Sequence, residues 1–261
     1  MKIRDVAQAV EAFAPLALQE SYDNAGLVVG RPDDELCGGV LIAVDVTPEV
    51  IDEAIALGCG MIVTHHPIIF NPLRRLNSAT VVEQCVERAI KADIALYAAH
   101  TNLDSAAGGM SWRLGEILGV ENMQTLSPVS DGAGFGTVGE LAESMPIEEF
   151  FALLRNRLGA KVLRHSDLVR REVRRVAICT GSGGSEMAAA RASGCDVYVT
   201  ADLRYNDFFA PAGEFVVVDV GHFESEFCAI DILFDVLSKK ITNFALHKSA
   251  CSRNPVNYCV K

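Results

Sequence analysis

Three short clusters in this chain combine imidazoles with carboxylates: His65-His66-Pro67, His100-Thr101-Asn102-Leu103-Asp104 and His222-Phe223-Glu224-Ser225-Glu226. Imidazole nitrogen and carboxylate oxygen without thiolate suit borderline or harder divalent ions, such as zinc, manganese, iron, cobalt or nickel. At least five candidate ligands exceed the three that a catalytic zinc usually takes from protein, so two ions fit better than one. A carboxylate can bridge two ions roughly 3.5–4 Å apart, and such a pair can share a hydroxide nucleophile. His222 and Glu226 are four apart, so one helical turn puts them on one face. Glu224 is then expected to face away from His222. A single histidine is more often structural than a ligand; three groups in one chain reverse that expectation.

All three clusters follow strand-like runs. Met61–Thr64 leads into His65, Ile94–Ala99 into His100, and Phe215–Val220 into His222. In open parallel sheets ligands gather beyond the carboxyl ends of the strands. Within a strand His65 and His66 would point to opposite faces. At the exit, with Pro67 pulling the chain away, both rings can turn into one crevice.

The elements between them alternate. Val40–Val44 is β-rich, and Thr47-Pro48-Glu49 reads as an N-cap, a first-turn proline and a first-turn acid. Val50, Ile51, Ala54, Ile55 and Leu57 repeat at helical spacing before Gly58. Such a β-α-β unit favours a parallel sheet with right-handed crossovers. Helices are expected over about 80–91 and 110–118. The stretch 125–170 has a different texture, with a strand over 135–141, a helix over 146–158 and a strand over 161–164; Phe150, Phe151 and Leu154 read as core. The alternation resumes with strands at 176–180, 197–199 and 215–218 and helices at 185–192 and 225–237.

That second alternation copies the first. An offset of 136 residues places Val40–His66 on Val176–Asp202 without a gap. A shorter offset places His100 on His222 and Asp104 on Glu226. Two copies imply two related α/β lobes, over 1–124 and 125–261, the repeat beginning near 170.

The chain has 261 residues, half of them hydrophobic, and 23 basic against 34 acidic side chains give a net charge of −11. That balance disfavours nucleic acid as a partner. Five arginines fall between Arg164 and Arg175; a solvated edge is the plain reading and a local anion or partner patch the sharper one. The longest apolar run, Ile94–Ala99, has six residues, against roughly 20 for a membrane span. The N-terminus lacks an apolar signal core, which predicts no export. The eight cysteines show no metal-binding or redox spacing, and Cys59, Cys179, Cys195 and Cys228 read as buried thiols, so a reducing, cytoplasmic setting is expected. No Gly-x-Ser-x-Gly elbow supports a serine hydrolase. Gly181-Ser182-Gly183-Gly184-Ser185 joins a strand to a helix. It is either a flexible turn or a backbone cradle for a substrate anion, with Ser182, Gly183, Gly184 and Ser185 as the contacts.

Tyr22-Asp23-Asn24-Ala25-Gly26-Leu27, Asp45-Val46-Thr47, Thr64-His65-His66-Pro67, His100 to Asp104, Gly221-His222 with Ser225-Glu226, and Asn254-Pro255 together resemble the Nif-three-like proteins, many of them known as type 2 homologues of GTP cyclohydrolase I. The resemblance runs over essentially the whole chain. It implies two related α/β lobes, a dinuclear metal site in the cleft between them, and a ring-shaped homohexamer. It implies His65, His66, Asp104, His222 and Glu226 as metal ligands, with Glu226 the bridge, and His100 beside them. His100 and Asp202 are the candidate catalytic groups. The length matches the short form, without an inserted domain. Two positions depart from the family pattern: Tyr22 replaces a tryptophan, and Asn206 stands where a histidine often follows, unable to act as acid or base.

Two functions follow as expectations. One is a metal-dependent hydrolase, opening the ring of a purine nucleotide or cleaving a phosphoester or amide. The other is a non-catalytic metal-binding scaffold or metal-delivery protein, which Asn206 favours slightly.

Overall fold

A computed structural model describes residues 1–130, 132–242 and 244–259. In chain order it contains α1 (Ile3–Glu11), β1 (Gly26–Val29), β2 (Gly39–Ala43), α2 (Pro48–Leu57), β3 (Cys59–Thr64), α3 (Val81–Lys91), β4 (Ala95–Ala98), α4 (Thr101–Ser105) and α5 (Met110–Leu118). There follow β5 (Val120–Ser130), β6 (Ala133–Pro146), α6 (Ile147–Leu158), β7 (Arg164–His165), β8 (Glu172–Ile178), α7 (Met187–Ala192), β9 (Val197–Thr200), β10 (Val216–Asp219), α8 (His222–Glu226), α9 (Ala229–Lys240) and β11 (Leu246–Lys248).

The first unit comprises Met1–Ala106 and Ala229–Arg253. Its sheet has the order β1-β4-β3-β2-β11, parallel except for β1. The helix after β2 starts and stops where its residues dictate. The Thr47 hydroxyl accepts from the Val50 amide, Pro48 fills the first turn, and Gly58 closes the helix at φ 67°. A cap of this kind is worth about 1 kcal/mol. Val50, Ile51 and Ala54 bury against Leu41, Ile62 and Leu96 of the sheet.

The second unit comprises Ala107–Cys228 and Asn254–Lys261. Its sheet has the order β5-β6-β8-β9-β10-β7, with β8, β9 and β10 parallel. Alternation sorts its side chains. Val197, Val199, Val216 and Val218 face α6, where Ile147, Phe150, Leu154 and Leu158 bury; Phe150 and Leu154 are core as expected, and Phe151 is only half-buried. Tyr198 and Val217 face the other layer with Ala190 and Phe215. Both faces are covered, so the parallel strands are nearly all apolar. Each fully buried apolar side chain contributes about 1.5–3 kcal/mol.

The repeat has a structural counterpart. The series β2-α2-β3 and β8-α7-β9 are both parallel β-α-β units, and each next strand is followed by a short helix, α4 or α8. The compact units differ from a contiguous division at 124. Residues 107–124 belong with the second unit, and α9 and β11 return to the first, where Leu246 pairs beside Val40. Three local expectations shift. The strand at 135–141 extends to Ala133–Pro146, because Ala133 and Gly134 pair with the polar strand β5 and Met145 and Pro146 pair with β8. The strand at 161–164 is instead Arg164–His165, paired with β10. The helix at 225–237 is two helices separated by Phe227 and Cys228.

The arginine-rich stretch is largely neutralised at home. Arg164 pairs with Asp219, Arg170 lies 4.0 Å from Asp196, and Arg174 and Arg175 each reach Glu140 at 3.5 Å. Cys59, Cys179, Cys195 and Cys228 are buried, and no disulfide occurs among the described residues. Nor is any described helix long and apolar enough to cross a membrane.

Candidate functional site

In the first unit two strand ends, those of β3 and β4, bring three imidazoles together. Beyond β3, the His66 amide donates to the Val44 carbonyl at 3.0 Å, and the Thr64 hydroxyl donates to the His66 carbonyl at 2.8 Å. These bonds curl the chain at the strand exit and bring both rings to one side. The centroids of His65 and His66 lie 4.9 Å apart, and that of His100 lies 5.4 and 5.5 Å from them. Asp104, on the turn of helix after His100, places Oδ1 3.8 Å from His65 Nε2.

Each of these rings is anchored through the same atom. His65 Nδ1 lies 2.8 Å from the Ala99 carbonyl oxygen, His66 Nδ1 2.7 Å from Asp45 Oδ1, and His100 Nδ1 2.7 Å from Asp23 Oδ1. An acceptor at Nδ1 fixes the tautomer with its proton there, so Nε2 carries the lone pair. Burial alone would raise the Asp23 carboxyl, but hydrogen bonds from His100 and Thr101 outweigh it and hold the group well below the usual carboxylate range.

The second unit again anchors its ring at Nδ1, but here Nε2 also meets a carboxylate. His222 opens α8 and places Nδ1 2.8 Å from Asp202 Oδ2 and Nε2 2.8 Å from Glu226 Oε2. The four-residue spacing therefore does bring the ring and the carboxylate together. Asp202 follows β9 with φ 54°, a left-handed conformation that aspartate tolerates better than most residues. Gly181, at φ 63°, makes room for Glu226, since a Cβ there would sit 2.1 Å from Oε1. Glu226 is 3% exposed.

The loop at Gly181–Ser185 is partly committed elsewhere. The Gly181 amide donates to Ser225 Oγ at 2.9 Å, and the Gly183 amide donates to Thr200 Oγ1 at 3.0 Å. Gly183 is buried, Gly184 half-buried, and Ser182 and Ser185 are exposed. Asn206 lies exposed in the turn Tyr205–Phe209. Glu224 is buried, with Oε1 accepting from Asn254 Nδ2 at 2.8 Å. The path of the C-terminal segment, which helical spacing cannot foresee, supplies that partner.

The sequence marks the histidines and Asp202, which the structure places as the anchor of His222, but not the anchors of the other rings. Asp23 and Asp45 lie in the Tyr22–Leu27 and Asp45–Thr47 motifs, and nothing local ties them to rings 77 and 21 residues away. The pairing of strand ends is the missing information.

Parallel α/β sheets with oxygen-anchored histidines and carboxylates at their strand ends define a class of proteins equipped to ligate divalent ions. The chain belongs to the Duf34/NIF3 (NGG1p interacting factor 3) family, which matches residues 1–255. A Clostridium perfringens protein named GTP cyclohydrolase 1 type 2 homolog is 37% identical over 230 residues, 87% of each chain. A Clostridium acetobutylicum protein of the same name is 33% identical over 253 residues, 95% of this chain and 92% of that one. Among solved structures, a Bacillus cereus protein related to NIF3 has a TM-score of 0.90 at 25% identity, covering 99% of both chains.

Proposed function

We propose that this protein is a metal-dependent hydrolase whose centre holds two divalent ions. The observation that carries this is the shared anchoring of His65, His66, His100 and His222 through Nδ1, which leaves each Nε2 as the coordinating or proton-carrying atom. His65, His66 and Glu226 each offer one ligand atom of the kind a divalent ion takes. Asp104 and His222 complete the proposed set, with Glu226 the bridge. The donors are nitrogen and oxygen alone, which fits zinc, manganese, iron, cobalt or nickel. When bound, such ions supply Lewis acidity and a water of lowered pKa.

The chain's own groups do the rest. Asp45 and Asp202 keep His66 and His222 in the ligating tautomer. His100, held on Asp23, presents Nε2 to accept or return a proton. The names of the relatives point to a purine nucleotide as substrate, and phosphoester or amide hydrolysis uses the same groups. We also propose a cytoplasmic homohexamer, which light scattering checks; a monomer at micromolar concentration refutes it.

The test is metal analysis of unwashed protein beside Glu226→Gln. That change keeps the shape of the side chain and removes its charge. The expected result is two ions per chain in the wild type and one or none in the variant, with the fold intact. Two tightly bound ions in the variant would move the bridge to Asp104. A panel of purine nucleotides, cyclic dinucleotides and phosphodiesters, with and without manganese or zinc, then tests turnover. Tight metal binding with no turnover supports the second reading, a metal-binding scaffold, which the exposed Asn206 favours.

A further inference from the structure

Glu224 lies between His222 and Glu226 on α8, and it is 6% exposed. Burying a carboxylate costs several kcal/mol unless its oxygens are compensated. Here Oε1 accepts from Asn254 Nδ2 at 2.8 Å, while Oε2 is enclosed without a hydrogen-bond donor among the described residues. A Cβ on Gly221 would sit 2.4 Å from Oε2 and 3.4 Å from the Tyr258 hydroxyl, so the glycine opens the space the carboxylate occupies. Burial raises the Tyr258 hydroxyl above its ordinary range, and the charges of Glu224 and Asp219 add to that.

Asn254 is itself aimed. Its Oδ1 accepts from the Val256 amide at 2.8 Å, which leaves Nδ2 to point at Glu224. It is also the residue at which the chain re-enters the second unit, after Ala229–Arg253 in the first. One hydrogen bond therefore ties that re-entry to the middle of the five-residue helix α8.

We propose that Asn254 and Glu224 form a latch through which the C-terminal segment positions α8, and with it the His222 and Glu226 donors. The latch rests on the reading of those two residues as ligands. Asn254 and Glu224 are positioning residues and touch no substrate.

The chemistry of the pair supplies its own test. In Asn254→Asp the new side chain still accepts from Val256, but it sets a second acceptor against Glu224. In Glu224→Gln an oxygen can still accept from Asn254, so this change is expected to cost less. The double variant restores a donor: the Gln amide donates to the Asp carboxylate, and Val256 keeps its acceptor. Two readouts are taken on the full chain. One is amide hydrogen exchange over 222–227 in metal-free protein. The other is cobalt or zinc affinity by titration.

Asn254→Asp is expected to speed exchange there and to weaken metal binding about 10–100-fold, the range for losing a group that orients a ligand. The double variant is expected to recover most of both. Asn254→Ala, which removes the donor without adding charge, is expected to shift both in the same direction by less, and it stands in if Asn254→Asp fails to fold. Unchanged exchange in Asn254→Asp, or a double variant no better than Asn254→Asp alone, overturns the latch. If the wild type binds no metal, the ligand reading fails, and the exchange pattern still decides whether Asn254 holds α8.

Discussion

Nδ1 of His100 lies 2.7 Å from Oδ1 of Asp23, a residue 77 positions earlier whose side chain is wholly buried. The same carboxylate accepts from the Thr101 amide at 3.0 Å and from the Asn24 amide at 2.7 Å, so it pins the first turn of α4 together with the ring.

A pH dependence follows from this contact. The folded Asp23 carboxyl is held below its ordinary value, about 3.9 in an unfolded chain. Its stabilisation is therefore fully present above about pH 4 and is lost as pH falls toward the lower folded value. Asp23→Asn lacks this contribution at every pH. Urea unfolding from pH 7 to pH 2.5 should show the wild type more stable than the variant near neutrality, with the gap narrowing on acidification. A gap that stays constant would mean that the carboxylate's charge is not what matters.

Asp45 tests the anchoring of a ligand without touching the ligand. Asp45→Ala leaves His66 in place but frees its ring to rotate and change tautomer. Loss of such an anchor weakens metal binding about 10–100-fold. Competitive zinc titration against a chelator measures it. Wild-type affinity in Asp45→Ala would show that the ring is held by packing alone.

Gly181 tests the space around Glu226. An alanine there meets two penalties: the left-handed conformation at φ 63°, about 1–2 kcal/mol, and a Cβ 2.1 Å from Oε1 of Glu226. Gly181→Ala should lower the melting temperature and reduce bound metal by displacing the carboxylate. By contrast, Gly194→Ala, at φ 69° with nothing within 4 Å of its Cβ, should lower the melting temperature alone. Equal metal content in the two variants would separate Glu226 from the metal.

Much of the local structure was written in neighbouring residues. Thr47, Pro48 and Gly58 bound α2, the valines of β9 and β10 alternate between two apolar layers, and the histidines sit at strand exits. Each of these signals acts over a few residues, through capping, side-chain periodicity or backbone conformation, so sequence suffices to place it. The 136-residue offset likewise marks two β-α-β units within the sequence itself.

The tertiary structure alone decided which acceptor faces each ring. His65 meets the Ala99 carbonyl because β3 and β4 are parallel neighbours, and His66 meets Asp45 because β2 lies on the other side. The same holds for Glu224, which helical spacing turns away from His222 and which the returning segment then covers through Asn254. Strand order, register and the course of the C-terminal residues set these contacts. They depend on how distant segments share one sheet or one buried surface, and no short stretch of sequence carries that information.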